Sequence, residues 1–128
     1  MARPFSSKQL PNTFDELTVL IGNRSRRKLG NNTYAERIDT DTIGIKLRST
    51  FVVTLYRGGS VKLDSGGWHT NTTKDRINAF IPYPFVLVQE KHAWYIDQHF
   101  HATNGGRCCW LRYADFTDGL YLPAKVTA

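Results

Sequence analysis

Antiparallel α+β is the fold class that this 128-residue chain predicts, and three observations carry it. Residues 33–64 alternate apolar and polar side chains with a period of two, as half-buried strands do. The pair Gly58-Gly59 separates two of these runs, and both residues can take the positive φ that a tight hairpin turn requires. Two short stretches carry helix-start patterns, one ahead of the alternating run and one behind it. The expected architecture is a curved antiparallel sheet of five to seven strands with two short helices. Gly44, Gly58, Gly59, Gly66 and Gly67 permit the bends, and a partly closed barrel and an open sheet both satisfy the pattern.

Residues 1–12 read as an N-terminal arm, because Pro4, Ser6, Ser7 and Pro11 punctuate a polar stretch. Residues 13–128 form one domain. Thr13-Phe14-Asp15-Glu16 is a capping box; Leu17, Leu20 and Ile21 continue at helical spacing, and Gly22 stops the helix. Residues 23–32 hold four basic side chains and no acidic one among Gly, Asn and Ser, which predicts a loop. A four-stranded meander follows over 33–64. Thr72-Thr73-Lys74-Asp75 reads as a second capping box with Thr72 as N-cap, and Pro82 ends that helix. Phe85–Val88 and Ala93–Ile96 make a strand pair turned at Glu90-Lys91-His92. Residues 97–107 read as an irregular polar loop. Cys108–Tyr113 is apolar, and Phe116–Leu122 forms a final turn and strand.

The chain carries 17 basic and 11 acidic residues, a net charge of +6. That balance favours an anionic partner. No window approaches the ~20 apolar residues of a membrane helix, and the opening residues lack the apolar core of a signal peptide. Adjacent cysteines rarely bridge each other, so Cys108-Cys109 fits a reduced, intracellular setting.

Three groups of residues invite a ligand. If Ile43, Ile45, Leu47, Val61 and Leu63 point into the core, the opposite sheet face presents Lys46, Arg48 and Lys62. The 51–56 strand adds either Tyr56 and Thr54 or Phe51 and Leu55 to that face, according to register. Cations interleaved with a ring suit a ligand that has both phosphate and base, although basic side chains on an exposed strand face also have an ordinary solvating role. The second group is Arg24, Arg26, Arg27 and Lys28, a run suited to a nucleic-acid backbone or simply to solubility. The third surrounds the second helix start: Trp68, His69, Thr70 and Lys74 bring a ring, hydroxyls and a cation to free N–H groups. Lys74 and Arg76 point about 200° apart on a helix, so only one can face a small ligand; Lys74, in the first turn after Thr72, is assigned to the ligand and Arg76, one turn beyond that cap, to structure.

Catalysis has one sequence handle. His101-Ala102-Thr103 has the spacing used by two-histidine phosphodiesterases, with His69 as a second acid–base group, but His69-Thr70-Asn71 lacks that spacing. The His and Cys residues match no zinc pattern, and no metal or cofactor is expected.

Several segments carry a resemblance. Asn31–Arg37, Val53-Thr54, Gly59-Ser60-Val61, Ser65–Thr70 and Thr72–Asn78 resemble a family of small proteins from tailed bacteriophages and prophages, over about residues 20–82. A weaker similarity appears at Trp94-Tyr95 and at Phe116–Gly119. The resemblance implies a viral origin and the cytoplasm of an infected bacterial host, not a mechanism. That family more often carries Arg where this chain has His69, so the resemblance does not fix a histidine there.

Together these readings predict a small phage-encoded, non-catalytic protein that binds nucleic acid or a nucleotide signal of host defence, which it would sequester. The alternatives are a nucleotide phosphodiesterase using His101, Thr103 and His69, or an inhibitor of a host protein or a virion component. A host or phage protein partner and a homo-oligomer are further expectations; a membrane is not.

Overall fold

The computed structural model describes residues 12–100 and 109–123. Helix α1 spans Phe14–Ile21. Thr13 caps it by accepting the Glu16 amide at 3.2 Å, and Gly22 ends it at φ +62°. Phe14, Leu17 and Ile21 are buried on one face, as their spacing predicts.

Nine strands are β1 (Arg26–Gly30), β2 (Thr33–Asp39), β3 (Thr42–Leu47), β4 (Thr50–Tyr56), β5 (Val61–Leu63), β6 (Phe85–Glu90), β7 (Ala93–Phe100), β8 (Cys109–Asp115) and β9 (Leu120–Leu122). Helix α2 spans Asn71–Phe80. The strands form two antiparallel sheets. One has six strands in the order β1-β2-β3-β4-β5-β9; the other has three, β6-β7-β8. The expected α+β class and two short helices stand. The sheet does not close into a barrel: β1 and β9 are its two edges.

Both helices, the inner face of the large sheet and Phe85, Leu87, Trp94 and Ile96 of the small one share a single core. Ile43, Ile45, Leu47, Val61 and Leu63 are all buried there. Their alternation dictates it: a half-buried strand sends every second side chain to one face. The outer face of the large sheet is covered by no other element among the described residues, and its own side chains leave Tyr34, Lys46, Phe51 and Tyr56 half-buried.

Four local expectations need correction. The basic stretch is not only loop, because Arg26–Gly30 pairs with β2 as an edge strand. Charged edge positions suit a strand that must not recruit another chain. Arg37 holds the entry to it, donating to the Arg24 and Gly22 carbonyls at 2.8 and 3.0 Å. Strand β7 runs on to Phe100 instead of ending at Ile96, since Asp97 and His99 find partners on β8, in Arg112 and Trp110.

The third correction is the start of α2. Its N-cap is Thr70, two residues before the expected Thr72: Thr70 is extended and its hydroxyl accepts the Thr73 amide at 3.2 Å. Asp75 closes no box and instead pairs with Arg76 at 2.9 Å. The fourth is the β4–β5 hairpin. The Tyr56 amide bonds the Ser60 carbonyl, which leaves Arg57, Gly58 and Gly59 as a three-residue loop. Only Gly59 takes a positive φ, +100°. This is the loop type in which one glycine position suffices.

Residues 1–11 of the proposed arm, together with His101, Thr103 and Cys108, lie outside the described residues, as does the side chain of Cys109.

Candidate functional site

The outer face of the large sheet is set by a bulge. Ile45 pairs with Val53, but Lys46 pairs with Phe51, so Val52 is an extra residue in β4. Val52 and Val53 are both fully buried. Beyond the bulge the alternation is reset. The two registers open in the sequence are therefore merged: Tyr56, Thr54 and Phe51 all lie on the outer face, and Leu55 is in the core. Gly44, opposite Thr54, lets the Phe51 ring lie against the sheet, because a Cβ there would collide with that ring.

Reading across the register, Lys28 of β1 pairs with Tyr34 of β2, Tyr34 with Lys46 of β3, and Lys46 with Phe51 of β4. Thr54 of β4 then pairs with Lys62 of β5, and Lys62 with Tyr121 of β9. Cross-strand partners share a face. The outer surface therefore alternates strand by strand: cations on β1, β3 and β5, rings on β2, β4 and β9. Arg26 lies over the Tyr34 ring at 4.6 Å, Lys46 over Phe51 at 5.4 Å, and the Tyr56 and Tyr121 rings are 6.3 Å apart. Tyr56, Thr54 and Lys62 help to line a shallow depression of about 570 Å³ on this face. Three carboxylates sit among the cations: Glu36 lies 3.7 Å from Lys46, and Asp39 and Asp64 line the depression.

The basic run divides between two faces. Arg26 and Lys28 stand opposite Glu36 and Tyr34 and belong to the outer face. Arg27 pairs with buried Ala35 and reaches back to the Leu20 carbonyl of α1 at 3.4 Å. Arg24 precedes β1 and lends its carbonyl to Arg37.

A second concavity of about 280 Å³ opens at the start of α2. The structure brings three predicted residues to it, Arg48, Trp68 and Thr70, with the hydroxyls of Ser49, Thr50, Thr72 and Thr73 around them. Arg48 is a turn residue at φ +58°, not a member of the sheet face as expected. Trp68 is 66% exposed and presents its ring to solvent. Ser49 and Thr50 also border the outer-face depression, so the two concavities adjoin.

The loop carrying Trp68 is held from a distance. Asp118 accepts both the amide and the hydroxyl of Ser65, at 2.8 and 2.7 Å. The Ser65 hydroxyl in turn accepts the Gly67 amide at 3.1 Å. Gly66 is at φ +63° and packs so closely on Thr50 that a Cβ would overlap its side chain. Two of the segments that carry the phage resemblance, Ser65–Thr70 and the weaker Phe116–Gly119, thus meet here.

Lys74 does not join the cleft. With the cap at Thr70 it lies one residue beyond the first turn, its amide bonded to the Thr70 carbonyl, and its ammonium donates to Gln89 of β6 at 3.0 Å. Arg76 takes the structural role expected of it, donating to Thr33 Oγ1 and Asp75 at 2.9 Å each. His69 stacks on Trp94, 4.3 Å between ring centroids and 13° from parallel, with its edge toward Phe116. That packing shields a core tryptophan. Among the described residues no three His, Cys, Asp or Glu side chains gather into a metal site. No helix described is long and apolar enough to cross a membrane.

Sequence reasoning alone does not single out Tyr34, Tyr121 or Asp118. Period-two alternation is the available signal for the tyrosines: Tyr34 keeps step with Glu36, and Tyr121 stands between the apolar Leu120 and Leu122. Nothing local marks Asp118, whose partner is 53 residues away.

These features define a small antiparallel α+β protein with an open aromatic and basic sheet face. The chain belongs to the Kyanoviridae Gp96 protein family of phages, whose family model matches residues 12–121. The match extends well past the 20–82 span of the resemblance. No curated protein matches the chain, and no solved structure does.

Proposed function

We propose that this phage protein binds single-stranded nucleic acid, without catalysis, across the outer face of its six-stranded sheet, in the cytoplasm of the infected host. One observation carries the reading: cations and rings alternate strand by strand from Lys28 to Tyr121. Strands are spaced ~4.8 Å apart, so rings recur about every 10 Å with a cation between them. A single strand offers the matching alternation of unstacked base and phosphate, whereas a duplex hides its base faces. A free nucleotide, including a signal of host defence, has one base and could occupy only one ring of several. The adjoining cleft extends the path: Trp68 offers a further ring and Arg48 a further cation. Arg26 contributes from the edge strand.

The test is fluorescence anisotropy with a labelled single-stranded oligothymidine at low salt. Replacing Tyr34, Tyr56 and Tyr121 together by Ala is expected to weaken binding by about 1–3 kcal/mol per base unstacked from the protein. Lys46→Ala with Lys62→Ala is expected to flatten log affinity against log salt by about 0.7 for each phosphate that the variant no longer neutralises. Absence of binding, or unchanged affinity in the tyrosine variant, overturns the reading.

A further inference from the structure

The four sheet edges are treated differently. Edge β1 is guarded by exposed Arg26, Arg27 and Lys28. Edge β9 is three residues long and stops before Pro123. Edge β6 is sealed by a side chain, because Asn78 of α2 both donates to the Leu87 carbonyl at 2.9 Å and accepts the Leu87 amide at 2.8 Å. Edge β8 has no such guard: among the described residues no strand pairs with its far side. It also exposes Trp110 at 53%, Leu111 at 55% and Tyr113 at 43%. A seven-residue edge with three large apolar side chains is a template for another strand.

We infer that β8 pairs antiparallel with β8 of a second copy of this chain, about a two-fold axis at Leu111. The register follows from the hydrogen-bond phase. The His99 amide donates to the Pro84 carbonyl, toward the β6 side of β7. His99 is opposite Trp110, so alternation turns the main-chain groups of Trp110 and Arg112 toward the open edge. Two copies can bond through these groups when Trp110 of each faces Arg112 of the other. Leu111 then faces the partner's Leu111.

The chemistry is self-complementary in this register. Arg112 is the one cation on the strand, and its charge is already met inside the protomer by Asp97 and Glu90, at 2.7 Å each, with the guanidinium 3.7 Å over the Tyr95 ring. The hydrogen bond to Asp97, then that to Glu90, holds its pKa above the ordinary arginine value. No bare charge is brought to the centre of the seam at Trp110–Arg112; the exposed carboxylate of Asp115 lies at the end of the strand. Shifting the axis one residue to Arg112 sets two guanidinium groups directly opposite, a like-charge pair that disfavours that register. Trp110 and Tyr113 alone offer on the order of 200 Å² of aromatic surface per copy. With Leu111 and the paired main chain, two copies fall below the ~1,200 Å² of standard interfaces, which sets the association as reversible.

Sedimentation velocity of the full chain, from micromolar to millimolar protein, is expected to show a reversible monomer–dimer equilibrium. Leu111→Lys is expected to abolish it while leaving the circular dichroism spectrum unchanged, since the site is exposed. In a Cys108→Ser, Cys109→Ser background, Leu111→Cys is expected to form a disulfide-linked dimer on mild oxidation, and Trp110→Cys and Tyr113→Cys are not. A chain that stays monomeric throughout, a Leu111→Lys variant that still dimerises, or equal cross-linking at all three positions overturns the inference. Oligothymidine binding is measured separately, so loss of the dimer and loss of the nucleic-acid reading are distinguishable.

Discussion

The two sheets expose aromatic side chains in opposite ways. On the six-stranded sheet the rings lie on a face, each beside a cation: Tyr34 under Arg26, Phe51 under Lys46. On the three-stranded sheet Trp110 and Tyr113 lie on an edge strand whose only cation is tied to Asp97 and Glu90. An exposed ring by itself therefore says little. Neighbouring cations suit it to a polyanion, and a neighbouring open main-chain edge suits it to another polypeptide. The difference also appears in how each sheet is stabilised. Both sheets are built mainly from sequence-adjacent antiparallel strands, but the large sheet adds the distant β9 to β5, and the β6 edge of the small sheet is capped by one side chain of α2.

Four substitutions probe that contrast. The largest effect is expected from Asn78→Ala, which leaves the Leu87 amide and carbonyl partly buried without their partner. The expected cost is about 2–4 kcal/mol, a fall in melting temperature on the order of 10 °C. A calorimetric shift of only a degree or two would show that β6 is not sealed by Asn78. Next comes Gly66→Ala, where a positive φ and the overlap with Thr50 combine on the large-sheet side. Denaturant titration is expected to show a loss of about 1–3 kcal/mol. Smallest is the hairpin pair. Gly59→Ala, at φ +100°, is expected to destabilise by about 1 kcal/mol, while Gly58→Ala, with open space around it, stays within about 0.5 kcal/mol. Equal effects at the two positions would restore the two-glycine turn that the sequence suggests.

Much of the large sheet is legible in the sequence because its order is local. Alternation at Ile43, Ile45 and Leu47 identifies the core face, and Thr13 with Glu16 identifies α1. The site is half legible. Lys46 and Lys62 follow from alternation and Tyr56 from one of two open registers, but the bulge at Val52 that puts Phe51 on the same face leaves no mark in a run of β-branched and aromatic residues. Choosing Thr70 over Thr72 as the cap needs the backbone angle at Thr70, since both residues can cap. That two-residue difference moves Lys74 from the cleft to Gln89. The division of Arg26 and Lys28 from Arg27 depends on β1 being a strand. A run of consecutive charges hides this, because it shows no apolar alternation and holds no β-branched residue.

The pairing of β5 with β9 has a consequence for the order of assembly. Strands β1 to β5 each pair with the next in sequence, and short loops close at little entropic cost. Strand β9 reaches β5 only after the whole small sheet and α2 have been passed, and the Ser65–Asp118 bond that fastens the junction spans 53 residues. During synthesis the first five strands can therefore form while the sixth is still unmade. Until β9 arrives, the far side of β5 is a second open edge. The nascent chain then has open strand edges at β5 and later at β8, and among the described residues only that of β8 stays unpaired of the two in the finished protein.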